Sequence, residues 1–230
     1  MKYLKVSSFV FLIVLLSASC NNDKQTEVNW ESLISENLKF AEKQYLAMEH
    51  SIPEGLMPRS FENGEFITSN TSWWCSGFYP GTLWYLYENS KNEELKEIAH
   101  KRTMSLENEQ FNTGTHDLGF MLYCSFGNGL RITENKEYED ILLQGAESLI
   151  SRFNENTGCI QSWDNDNWQY PVIIDNMMNL EFLFWAYRQT ENEELLAKII
   201  SHIENTIKDH YREDFSSYHL VSYDTINGDV

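Results

Sequence analysis

One stretch of this 230-residue chain is written twice. "GTLWYLYENSKNEEL" at 81–95 returns at 181–195 as "EFLFWAYRQTENEEL", pairing Leu83 with Leu183, Tyr85 with Trp185, Tyr87 with Tyr187, Ser90 with Thr190 and Asn92–Leu95 with Asn192–Leu195. A looser copy, "GFMLYCSFGNGLRITENKEYEDIL", lies between them. Each unit reads as an apolar, aromatic helix, a short polar turn and a second helix with acids in its first turn, where the helix dipole favours them. A very apolar helix followed by a half-polar one fits inner and outer positions in a layered helical array. The plainer alternative is an ordinary helical bundle.

The rest of the pattern is also helical. "VNWESLISENLKFAEKQYLAM" sets Trp30, Leu33, Ile34, Leu38, Ala41 and Tyr45 near one face of a helix. Further helices are expected at 78–89, 92–106, 116–126, 135–153, 174–189 and 192–210. Pro53 and Pro58 break the period, so "SIPEGLMPRSFENGEFITSNTSWWCS" reads as an ordered irregular loop. Strand-like material is confined to pieces such as "GCIQSW" and "SYHLVSY", which makes the fold class all-α.

The first 19 residues do not belong to this core. "MKYLKVSSFVFLIVLLSASC" has two lysines, an apolar run and small residues before Cys20, the features of a secretory signal. A cysteine closing the small-residue cluster resembles a bacterial lipoprotein processing site, which would make Cys20 the lipidated first residue. Residues 20–28 would then be a polar linker, and 29–230 the exported domain. The expected location is periplasmic or outer-membrane-anchored in a Gram-negative bacterium, with lipid as the only membrane contact. The formal charge of -18 becomes -20 once Lys2 and Lys5 are removed, leaving 15 basic and 35 acidic residues. Such a chain is a poor partner for nucleic acid or an anionic membrane, since both reward basic patches. Without Cys20 the thiols number three, and with no CxxC pair they read as buried thiols or one disulfide.

The polar exceptions fall at the same end of each expected inner helix: "TSWWCSGFYPG", "NTGTHDLG" and "DNMMN". In a repeated array of helix pairs, corresponding ends share one face, so these clusters are expected to converge. Asp175 and Asn179 are four residues apart and share a helix face. Asp175 and Asp117 each read either as a helix cap or as a working carboxylate. Paired carboxylates divide acid and base roles when their surroundings differ, although a helix N-terminus favours the charged form that a proton donor must avoid. Trp73, Trp74 and Trp163 read either as a stacking platform for a sugar or as core anchors. His116 adjoins Asp117, whereas His100, His202 and His210 read as helix-surface residues. No GxSxG, HExxH or Gly-rich phosphate loop is present, and "DNDNWQYPVIID" lacks the Gly and Glu of a calcium loop.

The ordered clusters "TSWWCSGFYPGTLW", "NTGTHDLGFM", "SWD" and "YPVIIDNMMNLEFLFWA" resemble the unsaturated glucuronyl hydrolases, glycoside hydrolase family 88. The resemblance runs from about Asn29 to the end. It implies an (α/α)6 barrel that removes a Δ4,5-unsaturated uronic acid from the non-reducing end of lyase-generated glycosaminoglycan oligosaccharides. It further implies that Asp175 is the catalytic acid/base and Asp117 the second essential carboxylate, acting by hydration of the vinyl ether. His116, Asn179 and the three tryptophans would bind the unsaturated uronyl oligosaccharide, and no metal or organic cofactor is implied. A complete ring of twelve helices needs more chain than this one offers. The expectation is therefore an incomplete (α/α)6 barrel, the N-terminal portion, finished by a C-terminal half or a completing chain. A surface-tethered glycan-binding module without turnover is the alternative.

Overall fold

The computed structural model describes residues 28–230. The expected signal, lipidated Cys20 and all of the linker but Val28 lie outside the described residues. The chain divides into a unit ending at Asn37 and a unit from Leu38 to Val230. Helix α1 (Trp30–Glu49) begins in the first unit, where Asn29 Oδ1 accepts the Ser32 N–H at 3.0 Å as an N-cap. Within the second unit, Leu38, Ala41, Tyr45, Leu46 and Met48 of the same helix pack against the core.

Three helix pairs build the second unit. The first is α2 (Phe78–Ser90) with α3 (Glu93–Met104). The second is a π-helical segment (Gly119–Gly127) running into α4 (Asn128–Thr133), paired with α5 (Glu137–Ile150). The third is α6 (Asn176–Thr190) with α7 (Glu193–His210). The π-helical segment packs between α2 and α6, so the apolar members form a row. The outer members each bury one stripe; on α7 it is Leu195, Ile199, His202, Thr206 and His210.

The sequence echo is an echo of hydrogen bonds. Lys91, Glu134 and Glu191 end their helices in left-handed backbone, with φ of 57°, 58° and 51°. Each returns its N–H to the carbonyl four residues back, at 2.7, 2.8 and 2.7 Å. The residue before each (Ser90, Thr133, Thr190) gives its hydroxyl to the preceding turn and accepts the N–H of Asn92, Asn135 or Asn192. Those asparagines in turn accept the N–H of Glu94, Glu137 and Glu194. One five-residue device thus turns the chain three times, although the middle copy is barely visible in its helix residues.

The structure departs from the sequence reading in two places. The stretch expected to be irregular contains a β-hairpin, β1 (Met57–Glu62) with β2 (Glu65–Ser69), closed by Asn63 and Gly64 at φ of 51° and 88°. Two successive positive φ values are the signature of the tight hairpin turn that Asn-Gly favours, so "NG" is the sequence signal for this hairpin. The helix expected over 116–126 is π-helical and continues as α4 to Thr133. The Phe120 N–H is bonded to the Asn179 side chain, at 3.1 Å. Four more short strands, β3 (Phe153–Asn154), β4 (Cys159–Ile160), β5 (Pro171–Ile173) and β6 (Leu220–Ser222), form two antiparallel pairs, β3–β4 and β5–β6. They lie in the long connections flanking α6 and α7. The three described cysteines are free thiols, with Cys159 buried and its pKa pushed up to about 12 by that burial.

Candidate active site

Asp117 ends a loop held on both sides. Arg152 reaches the Thr113 and Gln161 carbonyls, joining the start of the loop to the strand beside it. Thr115 Oγ1 donates to Asp117 Oδ2 at 2.7 Å and accepts the Asp117 N–H at 3.1 Å. The His116 N–H donates to the Ser162 carbonyl at 3.0 Å, and its Nε2 lies 3.2 Å from Asp117 Oδ1. Both carboxylate oxygens of Asp117 therefore have neighbours that fix the group's rotation.

Asp175 stands differently. It occupies the N-cap position of α6, yet its side chain makes no capping bond. Its Oδ1 is buried without a partner. The cap alternative for Asp175 therefore fails on geometry, and a buried acceptor left open has a cost that ordinary packing would avoid. The neighbours carry the local structural work: Asn176 Nδ2 donates to the Ile160 carbonyl at 2.8 Å, and Asn179 Oδ1 accepts from Phe120. Asn179 is fully buried between α6 and the π-helical segment, so it braces two helices. Gly119 makes that approach possible, because a Cβ there would lie 2.9 Å from the Asn179 Cα.

Ligand-type atoms of His116, Asp117 and Asp175 all lie within 4.8 Å of one another. The two helix entrances, 58 residues apart in sequence, thus meet at one point. No spacing rule reveals this trio, because its members come from a loop and a different helix. One imidazole and two carboxylates suit proton transfer, and the same donor set also suits a divalent cation.

The aromatic residues divide. Trp163 packs edge-on to His116 with ring centroids 6.3 Å apart, and its backbone bridges to Thr115. Trp74 is 46% exposed and packs edge-on to Phe78 and Phe120, beside the helix join made by Asn179. Trp73 lies under the Arg59 guanidinium, 4.2 Å from the ring centroid, and so belongs with the hairpin. His202 and His210 are fully buried, which corrects their reading as surface residues; they lie on the inward stripe of α7. His219, which has no ligand spacing in the sequence, is brought next to the site by its backbone, its carbonyl accepting the Ile174 N–H at 2.9 Å.

No family model matches the chain. Similar curated proteins include the unsaturated glucuronyl hydrolase of Formosa agariphila, 34% identical over 224 residues, covering 95% of this chain and 56% of that protein. The unsaturated chondroitin disaccharide hydrolase of Streptococcus agalactiae is 30% identical, covering 91% and 53%. Among solved structures, an unsaturated glucuronyl hydrolase specific for heparin superposes with a TM-score of 0.81 at 44% identity, covering 85% of this chain and 53% of its own. These relatives are (α/α)6 toroids, and the helix pairs described above are part of that architecture. The chain spans about half the length of the curated relatives it matches. With the repeated helix pairs, the ordered motifs and these similarities taken together, the chain belongs to the unsaturated glucuronyl hydrolase family.

Proposed function

We propose that the site removes a Δ4,5-unsaturated uronic acid from the non-reducing end of glycosaminoglycan oligosaccharides by hydrating the vinyl ether. The observation that carries this reading is that Asp175, with one buried oxygen left unpartnered, lies within 4.8 Å of the braced pair of Asp117 and His116. Asp175 gives its proton to C4, which leaves positive charge at C5 shared with the ring oxygen. Water bonds to C5 and returns a proton to the Asp175 carboxylate. The hemiketal formed at C5 opens to a ketone, C1 becomes a hemiacetal, and that hemiacetal expels the remaining sugar. Asp117, held by Thr115 and His116, stabilises the charge at C5 without having to reorient. Trp163 and Trp74 supply apolar faces for the sugar ring. Relatives are named for both heparin and chondroitin substrates, which supports the glycosaminoglycan class.

The test is incubation of the 230-residue chain with unsaturated disaccharides of both kinds. Loss of the conjugated double bond's ultraviolet absorbance is expected, and Asp175→Asn should lower it by about 10²–10⁴-fold, the usual share of a general acid/base. Disaccharide binding with no loss of absorbance would refute turnover and favour a glycan-binding module. Unchanged activity in Asp175→Asn would refute the assignment of that residue.

A further inference from the structure

The two carboxylates come from separate elements, so something must set the distance between them. A single strap, Ile160–Trp163, is hydrogen-bonded to the residue beside each. On the Asp175 side, Asn176 Nδ2 holds the Ile160 carbonyl at 2.8 Å. The Ser162 hydroxyl accepts the Ile173 N–H at 2.9 Å, and the Ser162 N–H donates to the Pro171 carbonyl at 2.8 Å. On the Asp117 side, the Ser162 carbonyl accepts the His116 N–H at 3.0 Å, and Trp163 bridges to Thr115. Each carboxylate is therefore one residue away from a hydrogen bond to the same short strand.

The strap is itself anchored from behind. Its Ile160 N–H donates to Nδ1 of His202 on α7, at 3.0 Å, and His202 is fully buried. The Ile160 peptide is thus gripped at both ends, by Asn176 at oxygen and by His202 at nitrogen. Because Nδ1 accepts, the imidazole is neutral with its proton on Nε2. A charged ring would set one donor against another. Burial supports the neutral form, lowering the His202 pKa from its ordinary 6.5 to about 3.

We infer that His202 is a positioning residue for the Asp117–Asp175 pair, acting through its neutral Nδ1 on the Ile160–Trp163 strap. It touches neither carboxylate. It keeps the strap in the register that spaces them. This rests on the hydration reading only for its kinetic consequence; the spacing itself is read independently.

The test compares His202→Leu, which keeps volume and removes the acceptor, with His202→Asn, whose Oδ1 stands where Nδ1 stood. Crystal structures and steady-state kinetics on an unsaturated disaccharide are collected for both and for wild type. The expected result is a kcat at least tenfold lower in His202→Leu with KM within twofold, a wider Asp117–Asp175 separation in its crystal structure, and recovery of both in His202→Asn. If wild type shows no turnover, the hydration reading fails while the carboxylate separation still decides the inference. His202→Leu with unchanged separation, or with wild-type kcat where wild type turns over, overturns it. Equal loss in Leu and Asn variants that melt at the wild-type temperature also overturns it, since the acceptor would not be what matters.

Discussion

Gly119→Ala tests how tightly the site is built, because the added methyl has nowhere to go. A Cβ at Gly119 would lie 2.6 Å from Asn179 Oδ1, 2.9 Å from its Cα and 3.1 Å from its Cβ. The side-chain oxygen could turn away, but the Cα is backbone at the first turn of α6 and moves only with the helix. Overpacking of this kind costs about 1–3 kcal/mol. Turning Asn179 aside also leaves the buried Phe120 N–H without its acceptor, at about 1–3 kcal/mol. The gain in helix propensity from Gly to Ala returns about 1 kcal/mol. The net loss is about 3 kcal/mol, which for a domain of this size lowers the melting temperature by about 6–12 °C. Gly114→Ala is the control: its Cβ would meet only Asn112 Oδ1, at 3.4 Å. Thermal unfolding followed by circular dichroism reads both variants. A Gly119→Ala protein that melts at or above the wild-type temperature would refute the close approach of the two helices, and with it the account of why Asp175 sits where it does.

Three further outcomes are expected. Arg102→Met should lose about 3–5 kcal/mol in urea unfolding, since the 3%-exposed guanidinium pairs with Glu49 and caps the Ile52, Pro53 and Leu56 carbonyls, and its removal strands the carboxylate; a loss below about 1 kcal/mol would contradict this. Stability should fall as pH drops from about 7 to about 5. His202 and His210 are held neutral by burial, so below 6.5 the unfolded chain binds protons the folded one refuses, costing up to about 1.4 kcal/mol per pH unit for each. Urea midpoints that do not shift, or a shift equally large in His202→Asn, would count against it. Chelation by EDTA should leave turnover unchanged if His116, Asp117 and Asp175 handle protons; loss restored by a divalent cation would make the trio a metal site.

The repeat was readable from residues alone because its information is local. Ser or Thr, then a left-handed residue, then Asn and an acid two places on, is a five-residue device whose hydrogen bonds stay within it and the turn before it. The same locality makes β1–β2 legible too: Asn63-Gly64 states its turn type outright, two prolines nearby notwithstanding. The π-helical stretch was not legible. Its first-turn Phe120 N–H is taken by Asn179, 59 residues away, and nothing near Phe120 announces that partner. His202 and His210 were misread for a related reason: their spacing with Leu195, Ile199 and Thr206 marks the inward stripe, but polar residues on such a stripe look like surface until the opposite side is known.

Helix number, pairing, turn chemistry and the candidate carboxylates follow from the sequence by itself, because propensity, capping and apolar period act over a few residues. The meeting of Asp175 with Asp117 and His116, the open oxygen that separates a working carboxylate from a cap, and the strap held by His202 were decided only in three dimensions. Each depends on groups tens of residues apart whose hydrogen-bonding needs are met, or left unmet, only after the helices have packed.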